Sequence, residues 1–151
     1  GYEKPQKGQI FLDGKPLAGY HGACPVQMVW QHPETVVDPL LRLKDTLAEA
    51  GEIDPELTEK LHIEKGWLER FPTELSGGEL QRFCLARALH SGTRFLLCDE
   101  ISAMLDLVTQ AQIWDLLLKE AEKRELGLLV VSHNEALMER VCTRVVDLPW
   151  D

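Results

Sequence analysis

The chain has 151 residues, of which 44% are hydrophobic and 27% charged, and its formal net charge is −9. That length suits one domain with a real core, and the composition excludes a disordered chain. The acidic balance argues against unaided binding to a nucleic-acid backbone, and there is no apolar run of about 18 residues that could span a membrane.

Gly8 to Leu17 (GQIFLDGKPL) reads as a β-hairpin: Ile10, Phe11 and Leu12 form a strand, and Asp13-Gly14 is a favoured two-residue turn. Val26 to Trp30 (VQMVW) is a second strand that ends at Gln31, before Pro33. From Glu34 to His90 the pattern is helical, punctuated by Pro39, Gly51, Pro55, Gly66 and Pro72. Within it, Leu80, Phe83, Leu85, Ala86 and Leu89 make a broad apolar helix face. Phe95 to Cys98 (FLLC) is a short apolar run, as expected of a strand buried on both faces of a parallel sheet. Val108 to Arg124 is an amphipathic helix ending near Gly127, Leu128 to Val131 (LLVV) another buried strand, Asn134 to Val141 a helix, and Arg144 to Leu148 a final strand. This alternation implies an α/β domain with a largely parallel sheet. The four cysteines, Cys24, Cys84, Cys98 and Cys142, form no C-x-x-C pair and read as reduced thiols packed as small hydrophobes. His21 and Cys24 have a ligand-like spacing, but no second pair follows to complete a metal site.

Two stretches carry chemistry. In Leu75-Ser76-Gly77-Gly78-Glu79, Ser76 caps a helix and two glycines leave its first backbone N–H groups uncovered. Such an end attracts anions, although an ordinary serine cap before a flexible turn has the same letters. In FLLC-Asp99-Glu100, two carboxylates stand where a buried strand ends, the place where α/β folds bind ligands. Asp99 could hold Mg²⁺ through water and Glu100 could polarise an attacking water; a solvated acidic pair is the plain alternative.

LSGGELQR followed by FLLCDE resembles the signature and Walker B motifs of ATP-binding-cassette (ABC) proteins. Gln31 resembles the Q-loop glutamine, Ser102-Ala103-Met104-Leu105-Asp106 the D-loop, and His133 the switch histidine, all in family order. The resemblance covers essentially the whole chain. It implies an α/β fold: a partial P-loop NTPase-type ABC cassette with a largely parallel sheet, a helical subdomain and an N-terminal β-hairpin. Residues 1–33 would be the hairpin and strand region ending at the Q-loop, 34–90 the helical signature subdomain, and 91–151 the Walker B, D-loop and H-loop part. The implied cofactors are ATP and Mg²⁺. Glu100 and His133 would be catalytic, and Asp99 and Gln31 would face the metal through water. Gln31, Ser76, Gly77, Gly78, Glu79 and Asp106 would contact nucleotide or the partner cassette. The implied partners are a second cassette, head to tail, and transmembrane permease subunits, with no nucleic acid. The implied location is cytoplasmic, on the inner face of the cell membrane.

Three positions depart from the usual pattern without removing a catalytic atom: His32 after Gln31, Ile101 after Glu100 and Asn134 after His133. A larger departure is that no G-x-x-x-x-G-K-[ST] phosphate loop occurs; Gly14-Lys15 is followed by Pro16 in a hairpin. The opening residues resemble the stretch just after the Walker A helix, so the expectation is a sequence truncated before Gly1 and inactive alone. VQMVWQHP, LSGGELQRFCLARAL and CTRVVDL resemble the oligopeptide, dipeptide and nickel importer group. A soluble ABC ATPase of DNA repair or translation, or a non-catalytic regulatory remnant, are the alternatives.

Overall fold

The computed structural model describes residues 3–17 and 23–147. His21, and with it the weak His21–Cys24 pair, lies outside them. The hairpin is present: β1 (Phe11–Leu12) pairs antiparallel with β2 (Lys15–Pro16). Asp13 and Gly14 both adopt left-handed backbone, at φ 51° and 75°, which matches the strand twist and which Gly tolerates without a Cβ clash. Arg94 anchors the turn through an ion pair to Asp13.

The main sheet has three parallel strands, β3 (Val26–Val29), β4 (Phe95–Asp99) and β5 (Gly127–Val131), with β4 central. Val26 lies opposite Phe95, and Phe95 opposite Gly127. Between β3 and β4 run α1 (Leu43–Ala48), α2 (Pro55–Lys60) and α3 (Gly77–Ala88), joined by short 3₁₀ turns. After β4 come α4 (Leu107–Arg124) and, beyond β5, α5 (Glu135–Val141).

Helix α3 is the pillar of the core. Leu80, Phe83, Leu85, Ala86 and Leu89 are all buried, as their spacing foretells. They join Leu43 and Leu47 of α1, Leu57 of α2, Leu96 and Cys98 of β4, and Ile113, Trp114 and Leu117 of α4 in one cluster. The Phe83 ring packs at 6.4 Å from that of Trp67. Three arginines tie this layer to loop carbonyls that helices leave unpaired: Arg82 to Leu61, Arg87 to Val36, and Arg124 to both Leu89 and His90. All four cysteines are free thiols. Burial pushes Cys84 up to about 11 and Cys98 up to about 12, so both act as small hydrophobes.

Two sequence expectations need correcting. FLLC and LLVV read as buried on both faces, yet only one face is covered among the described residues. Leu96 and Cys98 are buried, while the alternate side chains of Phe95, Leu129 and Val131 are exposed. Side chains alternate along a strand, so one layer of helices can cover only every second residue. The final strand is also not formed. Residues 144–147 make no ladder, and Leu148 lies outside the described residues. Val145 and Val146 are exposed, because apolar residues form a strand only where a neighbour pairs their backbone.

Phe83 has no exposed surface. Truncation by Phe83→Ala should cost about 3–5 kcal/mol in urea unfolding, the usual cost of deleting a buried aromatic. A loss under about 1 kcal/mol would contradict its central place in the core.

Candidate functional site

Most of the singled-out residues line two clefts separated by the Met104–Leu105 segment; Asp99 and Gly77 line neither. The first, of about 880 Å³, is lined by Gln31, Glu100, Ser132 and His133. The second, of about 380 Å³, is lined by Ser76, Gly78, Glu79, Arg82 and Asp106. Leu105 borders both.

The first cleft forms where the parallel strands end. β4 stops at Asp99, and Glu100 turns into left-handed backbone at φ 48°. That conformation is costly for a residue with a Cβ, by roughly 1–2 kcal/mol. It is held by the Glu100 N–H donating to the Val131 carbonyl at 3.0 Å. The turn directs the carboxylate onto the loop after β5. There the His133 backbone N–H donates to Oε1 at 2.8 Å and the Ser132 hydroxyl to Oε2 at 3.4 Å. The His133 ring is 92% exposed, its Nε2 3.8 Å from Glu100 Oε1. Glu100 is therefore fixed, while the imidazole stands exposed at the mouth of the cleft.

Asp99 lines neither cleft. Its carboxylate has no hydrogen bond or ion pair among the described residues, which leaves its oxygens available. Gln31, just past β3, also lines the Glu100 cleft. These oxygen donors suit a hard cation such as Mg²⁺, which takes few protein ligands. No lysine or arginine lines this cleft among the described residues.

The second cleft is built on the N-terminus of α3. The Ser76 hydroxyl accepts from the Glu79 N–H at 3.3 Å, and Glu79 Oε2 accepts from the Ser76 N–H and hydroxyl, each at 2.7 Å. This capping box ties up one helix-end donor and leaves the Gly77 and Gly78 amides bare. Neither glycine needs left-handed backbone. A Cβ on Gly77 would meet nothing within 4 Å, whereas one on Gly78 would press on Leu105 Cδ2 at 3.2 Å. Asp106 caps α4, accepting from Val108 N and Thr109 N at 3.0 Å each. Hydrogen bonds from Ser76 hold the Glu79 carboxyl below its usual range, and those from Thr109 do the same for Asp106. Both acids thus spend their carboxylates on helix ends in this structure, while their neighbours face the cleft.

The arrangement pairs a fixed carboxylate beside an exposed imidazole with a separate bare helix end that attracts phosphate. Sequence reasoning gave no individual role to several residues around the clefts. Ser132 reaches Glu100. Ser102 is buried, accepting from Gln110 Nε2 at 2.9 Å and Trp114 Nε1 at 3.0 Å, and so fixes the turn after Glu100. His62 and Arg82 line the Ser76 cleft. Arg82, within LSGGELQR, and Ser102, within the stretch that resembles the D-loop, are the two of these with a readable signal.

Residues 1–103 match the family model described as ABC transporter. The nickel import ATP-binding protein NikE of Rhodospirillum rubrum is 36% identical, the match covering 98% of this chain and 60% of that protein. Its namesake in Escherichia coli is 35% identical, over 97% of this chain and 61% of that protein. The chain thus spans about 60% of the length of these curated relatives. Among solved structures, the ATP-binding cassette MJ0796, seen as a post-hydrolysis dimer bound to ADP and phosphate, is similar in fold, with a TM-score of 0.73. That likeness has 22% identity and covers 90% of this chain and 67% of that one.

The hydrogen bonds from Ser76 couple the Glu79 carboxylate to folding. The stability it contributes is fully present above its ordinary value of 4.5 and is lost as pH falls through the lower folded value. Ser76→Ala removes the largest cause, so the Glu79 titration, followed by NMR, should move up towards 4.5. A titration unmoved by that change would show that Ser76 does not hold the carboxylate.

Proposed function

Because the chain belongs to the ABC transporter family, we propose that it forms part of the ATP-binding subunit of a solute importer, of the nickel or peptide type. The observation that carries this reading is the Glu100 carboxylate, pinned by the loop that bears His133 and open to a cleft at the strand ends. Two relatives named for nickel import favour that cargo class, which the permease rather than this chain would select.

In this reading the reaction is attack of water on the terminal phosphate of ATP. Glu100 accepts a proton from the attacking water, and its two fixed oxygens hold that water in one orientation. His133, free to swing, contacts the terminal phosphate from the mouth of the cleft. Asp99 and Gln31 would hold Mg²⁺, which neutralises phosphate charge when bound. Ser76, Gly77 and Gly78 would present bare N–H groups to an ATP held mainly by a second cassette packed head to tail, with Asp106 and Glu79 at that junction. Separate clefts for the two sets of residues support this division, because an ATP placed beside Glu100 leaves the helix end of α3 for another.

The 151 residues alone would then bind nucleotide poorly. Their cleft offers acid and neutral groups but no cation, and the phosphate-loop pattern is absent from the sequence. Transmembrane permease subunits would be the other partners, on the cytoplasmic side of a membrane. No helix among the described residues is long and apolar enough to cross one.

Glu100→Gln in the intact subunit keeps size and loses the base. ATP binding should persist while hydrolysis falls about 10²–10⁴-fold, read by phosphate release. Near-normal release would sink the assignment.

A further inference from the structure

Gln81 sits one turn beyond Gly77 on α3 and is only 2% exposed. A carboxamide buried that deeply needs partners for one oxygen and two N–H groups. Its Nε2 donates to the Trp30 carbonyl at 3.2 Å. Only the nitrogen of an amide can face a carbonyl, so this bond sets which way the group points. Its oxygen is left buried with no partner among the described residues. An apolar side chain of similar size would fill the same space without that penalty. Gln81 also lines a small cavity, of about 90 Å³, together with Gln31 and Gly77. One side chain thus grips the residue before Gln31, borders Gln31 itself, and belongs to the helix that starts at Gly77.

The geometry points to Gln81 as a positioning residue that locks the Trp30–Gln31 turn to the helix carrying Ser76, Gly77 and Gly78, its free amide oxygen held to receive the side-chain amide of Gln31. This rests on the proposed ATPase reading for its consequence, not for its geometry. Helix α3 is rigid, so a pull on its N-terminus by a phosphate reaches the end of β3 through Gln81. The metal-facing Gln31 and the phosphate-facing turn then move as one body rather than independently.

The test uses the intact ATP-binding subunit with Gln81→Met, which matches length and removes both polar atoms. Amide hydrogen exchange of residues 30–32 should quicken about fivefold or more, the scale of one lost hydrogen bond, while β4 keeps its wild-type rate. Gln81→Asn, polar but one carbon short of Trp30, should give the same local change. In the assembled transporter the kcat of Gln81→Met should fall with the KM for ATP within about twofold, and Gln31→Ala should add little to that loss. Unchanged exchange at residues 30–32 overturns the proposal. So does exchange that quickens equally through α3 and β4, which would mean a packing role only, and so do fully additive effects of the Gln31 and Gln81 changes on kcat. A wild-type subunit that hydrolyses no ATP would sink the ATPase reading, and the exchange result would still decide the lock.

Discussion

Helix α3 must pass from solvent into the core within one turn, and the rest of the structure is arranged around that passage. Its first residues, Gly77 and Gly78, carry no side chain, and its next two turns, from Leu80 to Ala86, are buried almost completely. Burying each large apolar side chain there is worth roughly 1.5–3 kcal/mol, enough to hold the helix axis against the sheet. The capping box of Ser76 and Glu79 then fixes where the helix begins. Because the buried part is rigid, the exposed part is aimed, and the short bare end keeps one direction.

The same division recurs at the end of β4. Leu96 and Cys98 are locked in the core, and one residue past the strand Glu100 is forced into left-handed backbone. The strain is offset by three contacts from the end of β5 and the loop beyond it, all made to one residue. Glu100 is thereby held still without being buried among charges, and no lysine or arginine lines its cleft among the described residues. Ser102, gripped by Gln110 and Trp114, fixes the chain on the other side. The segment from Ser102 to Asp106 then runs between the two clefts and caps α4, so neither cleft can change shape without moving the other's wall.

Much of this was legible from local pattern. Asp13-Gly14 announces its hairpin because few dipeptides tolerate two left-handed residues. The apolar spacing of α3 and the runs FLLC and LLVV mark a helix and two strands, and Ser76 marks a helix start. What local pattern could not supply is partnership. Val145 and Val146 look like a strand, but a strand exists only where another backbone pairs with it. Phe95 and Leu129 look buried on composition, yet exposure depends on which layers lie over the sheet. Ser132 reads as an ordinary residue at a strand end, and Gln81 as a polar interruption on an apolar face. Their importance lies in contacts to Glu100 and Trp30, far away in sequence.

The central claim is that the Glu100 cleft and the Gly77 turn of one cassette serve different ATP molecules. Glu100→Gln and Gly77→Asp separate the possibilities when placed in a cassette pair, the second cassette carrying the equivalent change where needed. A carboxylate at the helix end repels the phosphate that bare N–H groups attract. Single-turnover hydrolysis of Mg-ATP, counted as product per pair, is the measurement. With the two changes divided between the cassettes, both fall on one shared site and the other site keeps working. With both changes on one cassette, each site is damaged and hydrolysis is lost. The reverse pattern, with activity surviving when both changes share a cassette and vanishing when they are divided, would contradict the account.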